Sequence, residues 1–203
     1  MTAAQDDYLH RLVDLATKTD HERICVADML AALGSASGHL LMLLFALPNA
    51  LPSLPGTSTV LGLPLLFFST QLAIGAKPWL PRWVAARSLA RSDFTAIVTR
   101  MQAFHARRLA GMHVRWPALA TGAATRIASA FGVLIAIVLV LPLPLVNIPA
   151  ALTLVLLSFG ALRGDGRFVL AGYALGLATL LLAAAVVFGL SEAALAALRL
   201  RWT

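Results

Sequence analysis

The chain has 203 residues, 60% hydrophobic and 12% charged, with a formal net charge of +7 and one cysteine. A soluble domain carries about a quarter charged residues, so the composition argues against a soluble fold and predicts an all-α integral membrane protein of a single domain. The lone cysteine excludes an internal disulfide. In so apolar a chain the basic excess points to cytoplasmic loops and anionic lipid, not to nucleic acid.

The N-terminus carries Asp6 and Asp7 and then a polar stretch, so no secretory leader is expected. Over residues 6–18, Leu9, Leu12, Val13 and Ala16 share one helical stripe, which predicts a short amphipathic helix on the membrane surface. A second helix is expected over 21–33, capped by Thr19 or Asp20. Its Asp28 is either solvated at the interface or paired with an arginine. The run Gly34–Gly38 loosens the chain before an apolar arm, His39 to Leu47. Pro48, Pro52, Pro55 and Gly56 then break the sequence, because each proline lacks a donor and clashes with the preceding turn. A second apolar arm follows, Thr57 to Ala76, in which Gly62 and Pro64 allow bending or close packing. These two arms read as a re-entrant-like hairpin with a polar, proline-rich tip, since irregular backbone at membrane depth survives only when protein or a watery cavity surrounds it.

Trp79 and Trp83, beside Lys77 and Arg82, look like interfacial anchors. Residues 82–110 are amphipathic, with Ser92 a candidate cap for a fresh helix. Lys77, Arg82, Arg87, Arg91, Arg100, Arg107, Arg108, Arg115 and Arg126 face only Asp93 in this stretch, which places it in the cytoplasm. Apolar pieces recur at 127–141 and 148–162, separated by a second proline break, and the RGDGR run (Arg163–Arg167) reads as a surface turn. Phe168 to Leu190 is the one long uninterrupted apolar run and predicts an ordinary transmembrane helix. Gly172 and Gly176 give it a close-packing face, the expected contact of a homodimer.

The chain thus divides into N-terminal amphipathic helices (1–33), a first broken hairpin (34–76), a basic cytoplasmic segment (77–126), a second broken hairpin (127–162), a transmembrane helix (168–190) and a tail (191–203). Each hairpin has an apolar arm, a Leu-Pro break with one Asn, and an apolar arm ending near small residues. Paired broken helices at matching positions predict two inverted, pseudo-symmetric repeats with a transporter-like site where the breaks meet.

The candidate site residues follow from the breaks. Asn49 lies in the first, and Gly56 permits a tight turn that Thr57, Ser58 or Thr59 can close by capping the next helix. In the second, Asn147 is a candidate cap and Pro149 suits a first turn. The free amides of such helix starts favour phosphate or carboxylate, although the same caps serve equally to satisfy buried helix ends. Arg126 either reaches inward to an anion or snorkels, and snorkelling is favoured because charge at membrane depth is costly. Gln71 is an interhelical hydrogen-bonding residue before it is a site residue. Trp79, Trp83, Arg87 and Arg91 form a candidate lipid-contacting face. His10, His21, His39, His105 and His113 show no metal-ligand spacing, the glycine turns match no nucleotide fingerprint, and no nucleophile pairs with a base. No cofactor, metal or enzymatic chemistry is therefore expected.

The stretch ALPNALPSLPGTSTVLGLPLLFFSTQLAIGAKPWLP, Ala46 to Pro81, resembles the exopolysaccharide synthesis ExoD family. The family pattern is similar in its ALPN, its proline-rich turn, its TVLGLPL, its Gln-Leu and its PWLP, and the arginine-rich segment and second LPLP break also fit. The resemblance implies a bacterial inner-membrane protein linked to exopolysaccharide production and supplies no mechanism. Two readings compete on these residues. One is transport or handling of a lipid-linked or anionic polysaccharide precursor; the other is a non-catalytic accessory that regulates a polysaccharide synthase or exporter. A lipid-modifying enzyme ranks below both.

Overall fold

The computed structural model describes residues 10–15, 17, 23–50, 57–76, 79, 88–104, 113–141, 143 and 145–201. In chain order the elements are β1 (Arg23–Cys25), α1 (Val26–Leu33), α2 (Ser37–Asn49), α3 (Thr57–Ala73), β2 (Ser88–Ala90), α4 (Arg91–Phe104), α5 (Ala123–Val140), α6 (Asn147–Arg163) and α7 (Gly166–Arg201). Among the described residues the fold is helical apart from the three-residue antiparallel pairing of β1 with β2, in which Ile24 is paired with Leu89.

Helices α2, α3, α5 and α6 close into a ring. Helix α2 packs on α3 and α6, α5 packs on the same two, and α7 lies outside against α6 and α5. The ring forms because its inner positions are apolar or small. Leu41, Met42 and Ala46 meet Leu65 and Phe68, Ile135, Ala136 and Leu139, and Ala150, Ala151 and Leu154. Gly132 lets Leu154, Ser69 and Met42 approach one point, since a Cβ there would stand 3.4 Å from the leucine. A second cluster, Leu12, Ile24, Leu33, Phe94 and Val98, joins the N-terminal helical turn, β1, α1 and α4. The N-terminal stripe thus buries Leu12 against protein. Asp28 is exposed and accepts a hydrogen bond from the Cys25 amide at 3.3 Å, so it helps to cap α1.

The two hairpins run in the same sense. Phe45 of α2 stacks near Phe68 of α3. Arg126 at the start of α5 meets Gly75 after the end of α3, while Val140 at the end of α5 meets Gly62 near the start of α3. Helices α2 and α5 therefore point one way, and α3 and α6 the other. The ends of α2 and α5 and the starts of α3 and α6 lie at one end of the bundle, the tip. The chain enters and leaves both hairpins at the other end, the base. This overturns the expected inverted repeat. Any two-fold relating the hairpins runs along the helices, because two hairpins that start and finish at one end cannot be related by an axis across them.

Other expectations shift at boundaries. The helix expected over 21–33 begins only at Val26, because residues 23–25 pair with β2. Helix α2 runs through Pro48 to Asn49, past the expected end at Leu47. A proline in the last turn removes one hydrogen bond without breaking earlier turns. The fresh helix predicted near Ser92 starts at Arg91. The transmembrane helix and the tail are one helix, Gly166–Arg201.

Helices α5 and α7 each contain a stretch long and apolar enough to cross a membrane, Ala123–Val140 and Gly166–Glu192. Their outer faces are apolar, with Ile127, Leu134, Ile137, Leu177, Leu181 and Phe188 all exposed. Helix α5 is about 27 Å long and α2 about 20 Å at 1.5 Å per residue, against a hydrocarbon thickness of about 30 Å.

Candidate functional site

The polar groups inside the ring mostly satisfy themselves. Ser69 donates to Leu65 O at 2.6 Å, Ser129 to Thr125 O at 2.8 Å and Thr153 to Pro149 O at 2.8 Å. A hydroxyl bonded to its own helix four residues back needs nothing from a neighbour. Asn49 differs. It is 2% exposed, its Nδ2 donates to Phe45 O at 3.1 Å, and its buried Oδ1 has no hydrogen-bond partner among the described residues. The amide cannot be turned round to repair this, because Oδ1 would then face the Phe45 carbonyl, acceptor against acceptor.

Asn49 ends α2, and α3 and α6 both begin at the same end of the bundle. The first amides of a helix lack intrahelical partners. The tip therefore combines two helix starts, which donate, with buried side-chain acceptors, Asn49 Oδ1 and Asn147 Oδ1 among them. Thr57, Ser58 and Thr59 occupy the first turn of α3. Gly56 lies outside the described residues. Asn147 is the first residue of α6 and half-buried; the N-cap position belongs to Val146, so the expected cap is displaced by one residue. Pro149 falls in the first turn, as its missing N–H allows.

Two candidate site residues lie elsewhere. Gln71 sits at the base, where its Nε2 donates to Trp79 O at 3.2 Å and its Oε1 accepts from the Trp79 amide at 2.8 Å. It holds the chain leaving α3 and bridges no pair of helices. Arg126 is exposed, also at the base, with its guanidinium over Gly75. In the lipid-contacting set, Trp79 is 60% exposed, whereas Arg91 is half-buried and donates to Thr17 O at 3.1 Å, tying α4 to the N-terminal helical turn. Trp83 and Arg87 lie outside the described residues.

The turn between α6 and α7, expected at the surface, is instead partly buried, with Arg163, Asp165 and Gly166 all inside. Asp165 is fully buried, and its Oδ1 accepts from the amides of Arg167 (3.1 Å) and Arg115 (3.4 Å) and from Arg167 Nε (3.3 Å). Arg167 Nη2 reaches Asp165 Oδ2 at 3.0 Å and His113 O at 3.0 Å. The Gly166 amide donates to Arg115 O at 2.9 Å. Burial pushes the Asp165 carboxyl up, but the Arg167 side chain, the two backbone amides and the arginine's charge together hold it below the usual carboxylate value. This turn locks the end of the basic segment onto the bundle. The signal was present as a lone acid between two arginines in a basic chain. A small cavity at the base is lined by His39, Met42, Ala128, Ser129, Leu157 and Ser158, and the buried Ser158 Oγ has no hydrogen-bond partner among the described residues.

The family model described as "Exopolysaccharide synthesis, ExoD" matches residues 8–185. The chain is 29% identical to "Protein ExoD" of Rhizobium meliloti (strain 1021) over 156 residues, which cover 74% of this chain and 65% of that protein's length. No solved structure matches it. With the matched region running from the N-terminal helical turn through both hairpins and most of α7, the chain belongs to the exopolysaccharide synthesis ExoD family.

Proposed function

We propose that this chain is a multi-pass protein of the bacterial inner membrane that serves exopolysaccharide synthesis by handling a lipid-linked sugar phosphate at the tip of its two hairpins. The observation that carries the reading is the buried Oδ1 of Asn49, without a partner among the described residues, at the end where α3 and α6 begin. A phosphate suits the unpaired amides of a helix start. An unpaired acceptor beside them suits a hydroxyl. A glycosyl phosphate brings both in one molecule, and a polyprenyl tail would lie along the exposed apolar faces outside. Family membership supports the process; the tip chemistry supports the class of ligand. The base then faces the cytoplasm, because the arginine-rich segment between the hairpins leaves from that end.

The test is complementation of exopolysaccharide output in a strain lacking the gene. A Thr57→Ala/Ser58→Ala double variant, produced at parental abundance and with parental melting temperature, is expected to fail. Thr57 and Ser58 open α3, and loss of a helix cap costs about 0.5–2 kcal/mol, so abundance must be measured beside output. Full output from a folded double variant would contradict the tip reading and leave the accessory role, with the apolar outer helices as the partner face.

A further inference from the structure

The base of α3 carries a second arrangement that the tip reading does not use. Gln71 lies in the last turn of α3, and Gly75 lies in the turn that follows it. Gln71 grips the Trp79 backbone through two hydrogen bonds, 2.8 and 3.2 Å. The Trp79 indole is thereby left 60% exposed and edge-on to Phe67, with ring centroids 6.0 Å apart. One turn along, the guanidinium of Arg126 lies on Gly75, where a Cβ would stand 2.8 Å from its Cζ. Gly75 has φ +72°, so it serves both the turn and the seat for the arginine. Ile74 and Ile127, next to these two residues, are 71% and 63% exposed.

Arg126 belongs to the first turn of α5, at the beginning of a stretch able to cross a membrane. No carboxylate among the described residues pairs with it. A cation at the end of an apolar span, at the same end of the bundle as an exposed tryptophan and flanked by exposed isoleucines, matches the boundary between phosphate headgroups and acyl chains. The charge is complementary too, since Asp93 is the one acid among the basic residues from Lys77 to Arg126.

We infer that Arg126 and Trp79, seated by Gly75 and Gln71, form a headgroup site for an anionic phospholipid of the leaflet at the base. The phosphate lies on the guanidinium, and the glycerol and upper acyl chain lie against Trp79 and Phe67. The site orients the bundle in the membrane and lies at the end opposite the tip.

The test is native mass spectrometry of the full chain, titrated with phosphatidylglycerol or phosphatidylcholine. Arg126→Gln should weaken phosphatidylglycerol binding about fivefold, as one basic group near an anionic surface is worth, and leave phosphatidylcholine binding unchanged. Arg126→Lys should retain most of the affinity, and Arg115→Gln, an exposed arginine of the same segment, should retain all of it. Melting temperatures confirm that each variant is folded. The inference is overturned if Arg126→Gln binds phosphatidylglycerol as the parent does, or if Arg115→Gln loses as much. It is equally overturned if inorganic phosphate displaces the lipid, which would mark a free-anion site.

Discussion

Asp165 and Asn49 show two opposite uses of a buried polar residue. Asp165 receives four hydrogen bonds from Arg115 and Arg167 and thereby fixes the basic segment to the turn before α7. Asp165→Ala should lower stability by about 1.5–3 kcal/mol, the range for a hydrogen bond to a charged group, read as a fall in melting temperature in detergent. The pH dependence has a definite sign. The folded carboxyl titrates below its unfolded value, so the stabilisation is complete above the unfolded pKa, about 3.9, and is lost as pH falls through the folded one. The parent should therefore lose melting temperature on acidification below about pH 4, and Asp165→Asn should lose less. Asn49 is the reverse case. Replacing it by leucine removes one hydrogen bond to Phe45 O and also removes a buried acceptor without a donor. The two effects are similar in size, so Asn49→Leu should change stability by less than about 1 kcal/mol while polysaccharide output falls. A large loss of stability would make Asn49 structural. Asp165 was legible in sequence only as part of a turn, because the partner that ties it to the basic segment, the Arg115 amide, lies 50 residues away. Asn49 was legible as a site candidate because it stands beside a proline break.

At the scale of elements, the proline breaks marked both hairpins, and the arms expected from them correspond to α2, α3, α5 and α6. Propensity could not show the β1–β2 pairing, which depends on two segments about 65 positions apart meeting in register. The glycines of α7 were legible as a packing face, but not as to which neighbour they pack on. A Cβ at Gly172 would stand 2.8 Å from Leu157 Cδ2, and one at Gly176 would meet the Phe131 ring. Both glycines seat α7 on α6 and α5 and are buried, so they are not available as a dimer contact. Gly172→Leu should accordingly destabilise the chain by about 1–3 kcal/mol, the usual cost of overpacking, with no change in oligomeric state. Light scattering beside a thermal scan checks this. A change in mass at unchanged melting temperature would return the glycine face to an intermolecular role.

For the whole molecule, the same-sense hairpins make a topological prediction. Both tips should face the periplasm, and the base, with Arg115 and Asp165, should face the cytoplasm. In a Cys25→Ser background, a cysteine replacing Leu145, which is 84% exposed at the tip, should react with an impermeant maleimide added to intact cells. A cysteine replacing Arg115 should react only after lysis; the opposite pattern would reverse the orientation. The central claim is that the tip holds a glycosyl phosphate. Its most direct measurement is equilibrium binding of a polyprenyl glycosyl phosphate to the full chain in phosphatidylcholine nanodiscs, which lack the competing anionic headgroup. The account predicts that the parent binds it, that Asn49→Leu binds about tenfold more weakly, as losing one hydrogen bond to a buried acceptor implies, and that the corresponding polyprenol without phosphate does not compete. Equal affinity of parent and Asn49→Leu, or equal competition by the polyprenol, would contradict it.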